Sequence, residues 1–248
     1  MAGDKFIESS YEKALIALFQ ELGYTYECGY DVERDYREPF YKEVLEASLK
    51  RLNKGVSANI LAEGLKMVTN LNEGTLIQDN RCFTEMLQNG FAVPYLENGE
   101  NRTATLRLVD FEQPLANDFR IVNQWSVEEL GKIRCDMVVM INGLPLVVVE
   151  LKTASDENVT IEDAYLQIRN YMKKCPSLFG YNAFSVISDL AQSKAGTITS
   201  KFERFMEWKS EDGNYETKLI ADYATFFKGM FMRERLIDIL KNYICFDL

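Results

Sequence analysis

The chain has 248 residues, is 47% hydrophobic and carries a formal net charge of −10. No apolar run approaches the ~20 residues that a membrane-spanning helix needs, and the first residues lack the apolar segment of a signal peptide. The five cysteines are odd in number and contain no C-x-x-C pair. This pattern argues against a disulfide framework and predicts a reduced, cytoplasmic protein with no membrane partner.

The sequence contains no histidine. Its absence excludes nucleophilic sites built on a Ser-His or Cys-His pair and every zinc site with a histidine ligand. Any metal ion must then be held by oxygen ligands, which favours Mg²⁺, Mn²⁺ or Ca²⁺.

The first third of the chain is predicted to be helical. Apolar residues at helical spacing indicate helices over residues 6–22, 40–52, 57–68 and 79–87. Gly23 and Gly90 follow the first and the last of these and are typical of helix ends. We expect residues 1–102 to form an N-terminal helical extension, with its first helix packed on the core that follows.

From residue 103 the hydrophobic period changes from that of a helix to that of a strand. The pattern predicts strands over 105–111, 119–125, 133–141, 146–151 and 183–188, and helices over 161–174, 225–232 and 234–243. This order predicts an α/β (α+β) fold with a central sheet and flanking helices. Residues 103–210 would form the core and residues 211–248 a pair of C-terminal helices.

Glu150 interrupts a hydrophobic strand, and Lys152 follows two residues later. Because side chains alternate between the two faces of a strand, both project to the same side. Charged groups at the end of a buried strand need partners or a chemical role. A salt bridge at the strand end would also explain the pair, and Glu-x-Lys alone is a weak motif.

Asp136 interrupts the strand that should pair with the one carrying Glu150. A two-residue turn at positions 142–143 would place Asp136 opposite Val149, with Glu150 on the other face. An odd-length turn with Gly143 at positive φ, or a β-bulge, would instead pair Asp136 with Glu150. A metal ion shared by Asp136 and Glu150 requires both side chains on one face of the sheet. We therefore predict an odd-length turn or a β-bulge in this hairpin.

Two opposed carboxylates can hold one or two Mg²⁺ ions together with water and a phosphate oxygen. The metal lowers the pKa of the attacking water and stabilises charge on phosphorus. Lys152 can orient or deprotonate that water and neutralise the transition state. This chemistry needs no covalent intermediate on the protein.

The helix predicted over 161–174 adds polar and basic groups. Gln167 and Tyr171 are four residues apart and share a face. Arg169, Lys173 and Lys174 could reach phosphates, although an ordinary solvated helix face explains them equally well. Residues 121–210 contain 10 basic and 11 acidic residues. This nearly neutral segment of an acidic chain could present a local basic groove.

Asp136, Glu150-Leu151-Lys152 and Gln167-x-x-x-Tyr171 together resemble the PD-(D/E)xK nuclease superfamily. More specifically, the chain is similar to the N-terminal nuclease domain of the R (restriction) subunit of type I restriction–modification enzymes. The similarity is carried by the segments 142–152, 167–171, 181–189 and 196–208. Cys135 stands where the superfamily name places proline, a position that varies widely.

The resemblance implies a restriction-endonuclease-like fold, with a central mixed sheet flanked by helices. It implies Asp136, Glu150 and Lys152 as the catalytic set, with the two carboxylates binding Mg²⁺ or, as an alternative, Mn²⁺. Gln167 and Tyr171 would be supporting residues near the DNA. The first helix often contributes a further acid to such sites, and Glu8 is the candidate by position.

The resemblance also implies partners, namely double-stranded DNA and the methyltransferase and specificity subunits of a restriction complex. R subunits continue into an ATP-driven DNA translocase, but this sequence contains no G-x-x-x-x-G-K-S/T phosphate loop. We therefore expect an N-terminal fragment, in which ATP acts only through a motor domain that is missing here.

Three functions remain open at this point. The first is a metal-dependent endonuclease module that hydrolyses double-stranded DNA, coupled to ATP-driven translocation. The second is a non-catalytic DNA-binding or subunit-docking domain on the same fold, with the acidic N-terminal helices as the interface. The third, a two-carboxylate hydrolase acting on sugars, leaves Lys152 without a clear role and conflicts with the resemblance.

Overall fold

The computed structural model describes residues 2–152, 160–189, 191–212, 214 and 223–246, with side chains from residue 10 onwards. The first 106 residues form α1 (Ala2–Glu21), β1 (Thr25–Cys28), α2 (Lys42–Leu52), α3 (Ala58–Thr69), α4 (Leu76–Asn89), β2 (Phe91–Glu97) and β3 (Glu100–Leu106). The remainder forms β4 (Phe119–Glu128), β5 (Lys132–Ile141), β6 (Leu144–Leu151), α5 (Ile161–Lys174), α6 (Pro176–Gly180), β7 (Phe184–Ser188), β8 (Ser193–Gly196), α7 (Tyr223–Phe231) and α8 (Arg233–Asn242).

Six of the strands form one mixed sheet in the order β1-β4-β5-β6-β7-β8. The pairs β1–β4 and β6–β7 are parallel, and the other neighbours are antiparallel. β2 and β3 form a separate antiparallel hairpin. The predicted α/β class, with a central mixed sheet flanked by helices, is confirmed. β1 lies within the first 102 residues and pairs with β4, so the sheet draws on both sides of the proposed boundary at residue 102, which stays a prediction.

Apolar side chains form a separate core on each face of the sheet. On one face Leu15 of α1 and Phe227 of α7 pack with Val149 of β6. On the other face Ile168 of α5 packs with Val148 of β6. Every residue of β6 is buried, because helices cover both faces of this central strand. Its continuous apolar sequence, interrupted by Glu150, reflects this position.

Most predicted elements are present, and α5 has the bounds that the sequence predicts. The short strands β1 and β8 and the β2–β3 hairpin were not predicted. The strand predicted over 105–111 is wrong beyond Leu106, where β3 ends. Leu108 and Val109 are both buried, which breaks the alternation of a strand. After the end of β3, the side chain of Asn53 takes the place of a strand partner. Its amide oxygen accepts a hydrogen bond from the N–H of Arg107, and its amide nitrogen donates one to the carbonyl of Arg107. No helix within the described ranges is long and apolar enough to cross a bilayer.

Candidate active site at the end of the central hairpin

The hairpin of β5 and β6 turns through two residues, Asn142 and Gly143. Both have positive φ, 53° and 82°, as a two-residue turn that follows the strand twist requires. The buried Asn142 side chain accepts a hydrogen bond from the backbone N–H of Asp118 at 2.9 Å and donates one to the carbonyl of Leu108 at 2.9 Å. The predicted odd-length turn is therefore wrong, although Gly143 has the expected positive φ.

A β-bulge next to this turn changes the register. The pairing slips between Val139 and Met140, leaving Leu146 as the extra residue on β6. Such a one-residue slip exchanges the faces of all residues beyond it. Continuing the observed register by one residue places Asp136 opposite Glu150. The bulge, which was the second of the two predicted departures, is confirmed.

Asp136 is held against the end of β6. The backbone N–H of Leu151 donates a hydrogen bond to its carboxylate at 2.8 Å. This contact places the carboxylate between the positions of Glu150 and Lys152 on the neighbouring strand.

Glu150 is almost completely buried, with 2% of its surface exposed. Its Oε1 atom lies 2.7 Å from Lys152 Nζ. Its Oε2 atom is buried and has no hydrogen-bond partner among the described residues. Burial raises the pKa of this carboxyl to about 8, and the charge of Asp136 adds to the rise, whereas Lys152 opposes it. A proton or a cation is therefore favoured at Glu150.

Lys152 directly follows the last residue of β6. Its backbone N–H donates to the carbonyl of Ser188 at 2.8 Å, which extends the parallel pairing with β7. The Ser188 hydroxyl is in turn 2.6 Å from the hydroxyl of Tyr11 on α1. The side chain of Lys152 is 25% exposed, so its ammonium can reach both Glu150 and a molecule in solution.

Gln167 and Tyr171 lie on α5, which covers the Glu150 face of the sheet. The buried Tyr171 hydroxyl donates to the carbonyl of Arg134 at 2.8 Å. Burial raises the pKa of Tyr171 and the charge of Glu150 raises it further, whereas Gln167 opposes the rise. Tyr171 is thus near enough to Glu150 to be affected by its charge, and Gln167 contacts Tyr171. Arg169 instead donates to the carbonyl of Ile198 at 2.6 Å, a bond internal to the fold.

The first helix also reaches this region. Glu8 lies in α1, but its side chain is outside the described part of the chain, and its role stays a prediction. The carboxylate of Glu12, one turn later, accepts a hydrogen bond from Asn123 Nδ2 at 2.6 Å. Asn123 precedes Gln124, whose φ is 53° in the middle of β4. This contact is not predicted from the sequence, although the polar residues at 123 and 124 interrupt an otherwise apolar strand.

The arrangement of Asp136 and Glu150 fits a divalent cation. Two carboxylates converge, and one of their buried oxygen atoms has no hydrogen-bond partner among the described residues. Within the same ranges, no three His, Cys, Asp or Glu side chains gather into a metal site. Among the described residues, Asp136 and Glu150 would supply two carboxylate ligands, and water and substrate oxygens could fill further positions. Mg²⁺ is commonly bound in this way, through one or two carboxylates.

Comparison with known proteins places this geometry in context. The family model described as type I restriction enzyme R protein N terminus matches residues 5–204. A putative type I restriction enzyme MjaIXP endonuclease subunit from Methanocaldococcus jannaschii is 31% identical, over 95% of this chain and 25% of its own length. The type I restriction enzyme HindI endonuclease subunit from Haemophilus influenzae is 30% identical, over 97% of this chain and 24% of its own length. The chain thus spans about a quarter of the length of these relatives.

Proposed function

Because the chain belongs to the family of type I restriction enzyme R protein N termini, we propose that it is the metal-dependent endonuclease module of such a subunit. Its substrate is double-stranded DNA, in which it hydrolyses phosphodiester bonds. The observation that carries the proposal is the register of β5 and β6, which sets Asp136 opposite the buried Glu150. Lys152, at 2.7 Å from Glu150, completes the set.

Asp136 and Glu150 would hold Mg²⁺, and Mn²⁺ suits the same oxygen ligands. The bound cation would lower the pKa of the attacking water and neutralise charge on the phosphate. The partner-free oxygen of Glu150 supports this role. With a pKa of about 8, the carboxyl of Glu150 is partly protonated near neutral pH, so metal binding would displace that proton.

Lys152 supplies the positive charge that the reaction needs on the protein side. Its ammonium, held at Glu150 Oε1, can hydrogen-bond the attacking water or a phosphate oxygen. Gln167 and Tyr171 would act as supporting residues close to the DNA, because the charge of Glu150 acts on Tyr171 and Gln167 contacts Tyr171. Glu8 is proposed as an additional acid of this site.

The relatives named endonuclease subunits are about four times as long as this chain. We propose that cleavage is coupled to ATP-driven translocation by a motor domain that lies outside this chain. The methyltransferase and specificity subunits of the restriction complex, in the cytoplasm, would be the protein partners. Recognition of a DNA sequence would then lie outside the residues described above.

Cleavage by the assembled restriction complex tests this proposal. Site-bearing DNA is incubated with Mg²⁺ and ATP, and Asp136→Ala, Glu150→Ala and Lys152→Ala are compared with the unaltered protein. Each substitution should abolish cleavage while ATP hydrolysis continues. Glu63→Ala, which removes an exposed carboxylate from a surface ion pair with Lys66, is the matched control and should cleave normally. Cleavage that persists in all three site variants would refute the assignment.

A second candidate is a non-catalytic DNA-binding or subunit-docking domain. The net charge of −10 and the predominantly acidic N-terminal helices favour a protein interface there. This alternative predicts that Mg²⁺ does not change the melting temperature of the chain. The nuclease proposal predicts a rise that Asp136→Ala removes, since a ligand that binds only the folded state stabilises it.

A further inference from the structure

A cleft of about 530 Å³ lies beside Gln167 and Tyr171 of α5, which are among its lining residues. Three cations line it, Lys132 and Arg134 from β5 and Lys174 from the end of α5. Tyr30 and Tyr36 are among its other lining residues. None of the lining residues that the structure describes is acidic, in a chain whose net charge is −10.

No ion pair in the part of the chain that the structure describes includes any of these three cations. Within the described ranges, no carboxylate oxygen lies within 4.0 Å of a nitrogen atom of these three side chains. This holds also for Glu128, the residue opposite Lys132 in the register of β4 and β5. Arg134 instead donates a hydrogen bond to the Tyr30 hydroxyl at 2.6 Å. The ammonium of Lys132 lies 5.2 Å from the centre of the Tyr36 ring. Tyr30 and Tyr36 thus contact Arg134 and Lys132 without neutralising their charges.

The cleft is connected to the candidate active site through two elements. Arg134 is two residues from Asp136 on β5, and its carbonyl accepts the hydrogen bond of the Tyr171 hydroxyl. The ring of Tyr171 lines the cleft, and its hydroxyl is subject to the charge of Glu150. A strand whose phosphate lies at the carboxylates would therefore have its neighbouring phosphates beside the cleft.

We propose that Lys132, Arg134 and Lys174 bind backbone phosphates of the DNA strand that flanks the scissile bond. This inference rests on the proposed function in two respects, because it takes DNA as the substrate and the carboxylates as the place of cleavage. A guanidinium can bind a phosphate through two hydrogen bonds, whereas each ammonium acts as a point charge. Contacts to phosphates position a duplex without reading its sequence. The cleft therefore sets where the strand lies and leaves recognition of bases to other surfaces.

Equilibrium binding separates this step from cleavage. The 248-residue chain is titrated into a labelled DNA duplex at ~50 mM salt without Mg²⁺, and binding is followed by fluorescence anisotropy. The triple variant Lys132→Ala, Arg134→Ala, Lys174→Ala should bind about 10-fold or more weakly, because it loses phosphate contacts. For this variant, the slope of log K against the logarithm of the salt concentration should also be smaller in magnitude by about 2 to 3.

A matched triple variant controls for net charge. The control removes three cations elsewhere, with the substitutions Lys50→Ala in α2, Lys54→Ala in the turn after α2, and Arg81→Ala in α4. The buried apolar residues of α2 and α4 belong to the core on the other face of the sheet. This variant should bind DNA like the unaltered chain. Equal weakening by both triple variants, or no measurable binding by the unaltered chain at low salt, would overturn the proposal.

Asp136→Ala distinguishes failure of the cleft from failure of the nuclease proposal. Without Mg²⁺ it should bind the duplex at least as tightly as the unaltered chain, because the substitution removes a negative charge that repels the phosphate and leaves the three cations in place. If Asp136→Ala still cleaves while the triple variant does not bind, the nuclease site is wrong and the cleft stands. If the triple variant binds and cleaves normally while Asp136→Ala is inactive, the cleft is wrong and the nuclease site stands.

Discussion

The backbone N–H of Leu151 donates a hydrogen bond to the carboxylate of Asp136 at 2.8 Å. Leu151 lies between Glu150 and Lys152, so this bond fixes the Asp136 carboxylate relative to the two residues that the Glu-x-Lys pattern brings to one face. The side chain of Asp136 thereby continues the link between β5 and β6 beyond the last paired residues, Met137 and Val149. The relative position of the three candidate catalytic residues is a property of the hairpin itself.

Glu150→Gln should stabilise the metal-free protein at alkaline pH. Folding raises the pKa of this carboxyl from 4.5 to about 8. Between these pH values the folded chain binds more protons than the unfolded chain, so the free energy of unfolding falls as pH rises. Glutamine removes that slope, which is at most about 1.4 kcal/mol per pH unit. The melting temperature in EDTA, measured from pH 5 to pH 8, reports the change.

The same substitution should abolish the rise in melting temperature that Mg²⁺ produces, because a neutral amide is a poor ligand for this cation. Glu63→Gln, at an exposed position, should change neither quantity. A Glu150→Gln protein that melts at a lower temperature than the unaltered protein at pH 8 in EDTA would contradict the buried, proton-binding state of this residue.

Gly143→Ala should destabilise the fold much more than Gly55→Ala. Both glycines have positive φ, +82° at Gly143 and +88° at Gly55. A Cβ atom at Gly143 would lie 2.5 Å from the backbone N of Leu45, whereas a Cβ atom at Gly55 would have no neighbouring atom within 4 Å among the described residues. Left-handed backbone costs about 1–2 kcal/mol at either position, and overpacking against α2 adds about 1–3 kcal/mol at Gly143 alone. Urea denaturation measures the two losses, and equal values would rule out a tight contact between this turn and α2.

Tyr171→Phe should lower the rate of DNA cleavage by about 10-fold, which corresponds to ~1.4 kcal/mol in the barrier, with a loss of stability near 1 kcal/mol. The substitution removes the hydroxyl that donates to the Arg134 carbonyl and that lies beside Glu150. Tyr165→Phe is the matched control on the same helix, since its hydroxyl makes only a 3.4 Å contact with the Ser200 carbonyl. Single-turnover cleavage by the assembled complex should separate the two variants, and equal rates would remove Tyr171 from the site.

Thiol labelling of the native chain should modify Cys245 first. This cysteine is exposed, whereas Cys135 and Cys175 are buried. Burial raises the pKa of Cys175 to about 11 and also raises that of Cys135, so few thiolates form at neutral pH. Both should react only after unfolding. Cys245→Ser identifies the fast phase, and rapid modification of Cys135 in the native chain would mean that the core beneath Asp136 is open.

The site was predictable from sequence wherever one strand alone determines geometry. Alternation within β6 places Glu150 and Lys152 on one face, and the interruption of an apolar strand marks Asp136. The spacing of Gln167 and Tyr171 likewise follows from helix geometry. The four-residue strands β1 and β8 are too short for a period to be recognised, and the pairing of β1 with β4 is a contact between residues about 95 positions apart.

The sequence by itself determined which residues could carry the proposed chemistry, because the absence of histidine and the positions of Asp136, Glu150 and Lys152 along the chain are independent of how the strands pair. Whether Asp136 meets Glu150 was decided only by the tertiary structure. The Asn142-Gly143 turn favours the register that separates them, and the bulge at Leu146 restores the register that joins them. The cost of a bulge is offset by helices that pack on both faces of β6 and by strands that pair along its edges. These elements come from distant parts of the chain, so no local sequence pattern predicts their contacts with β6.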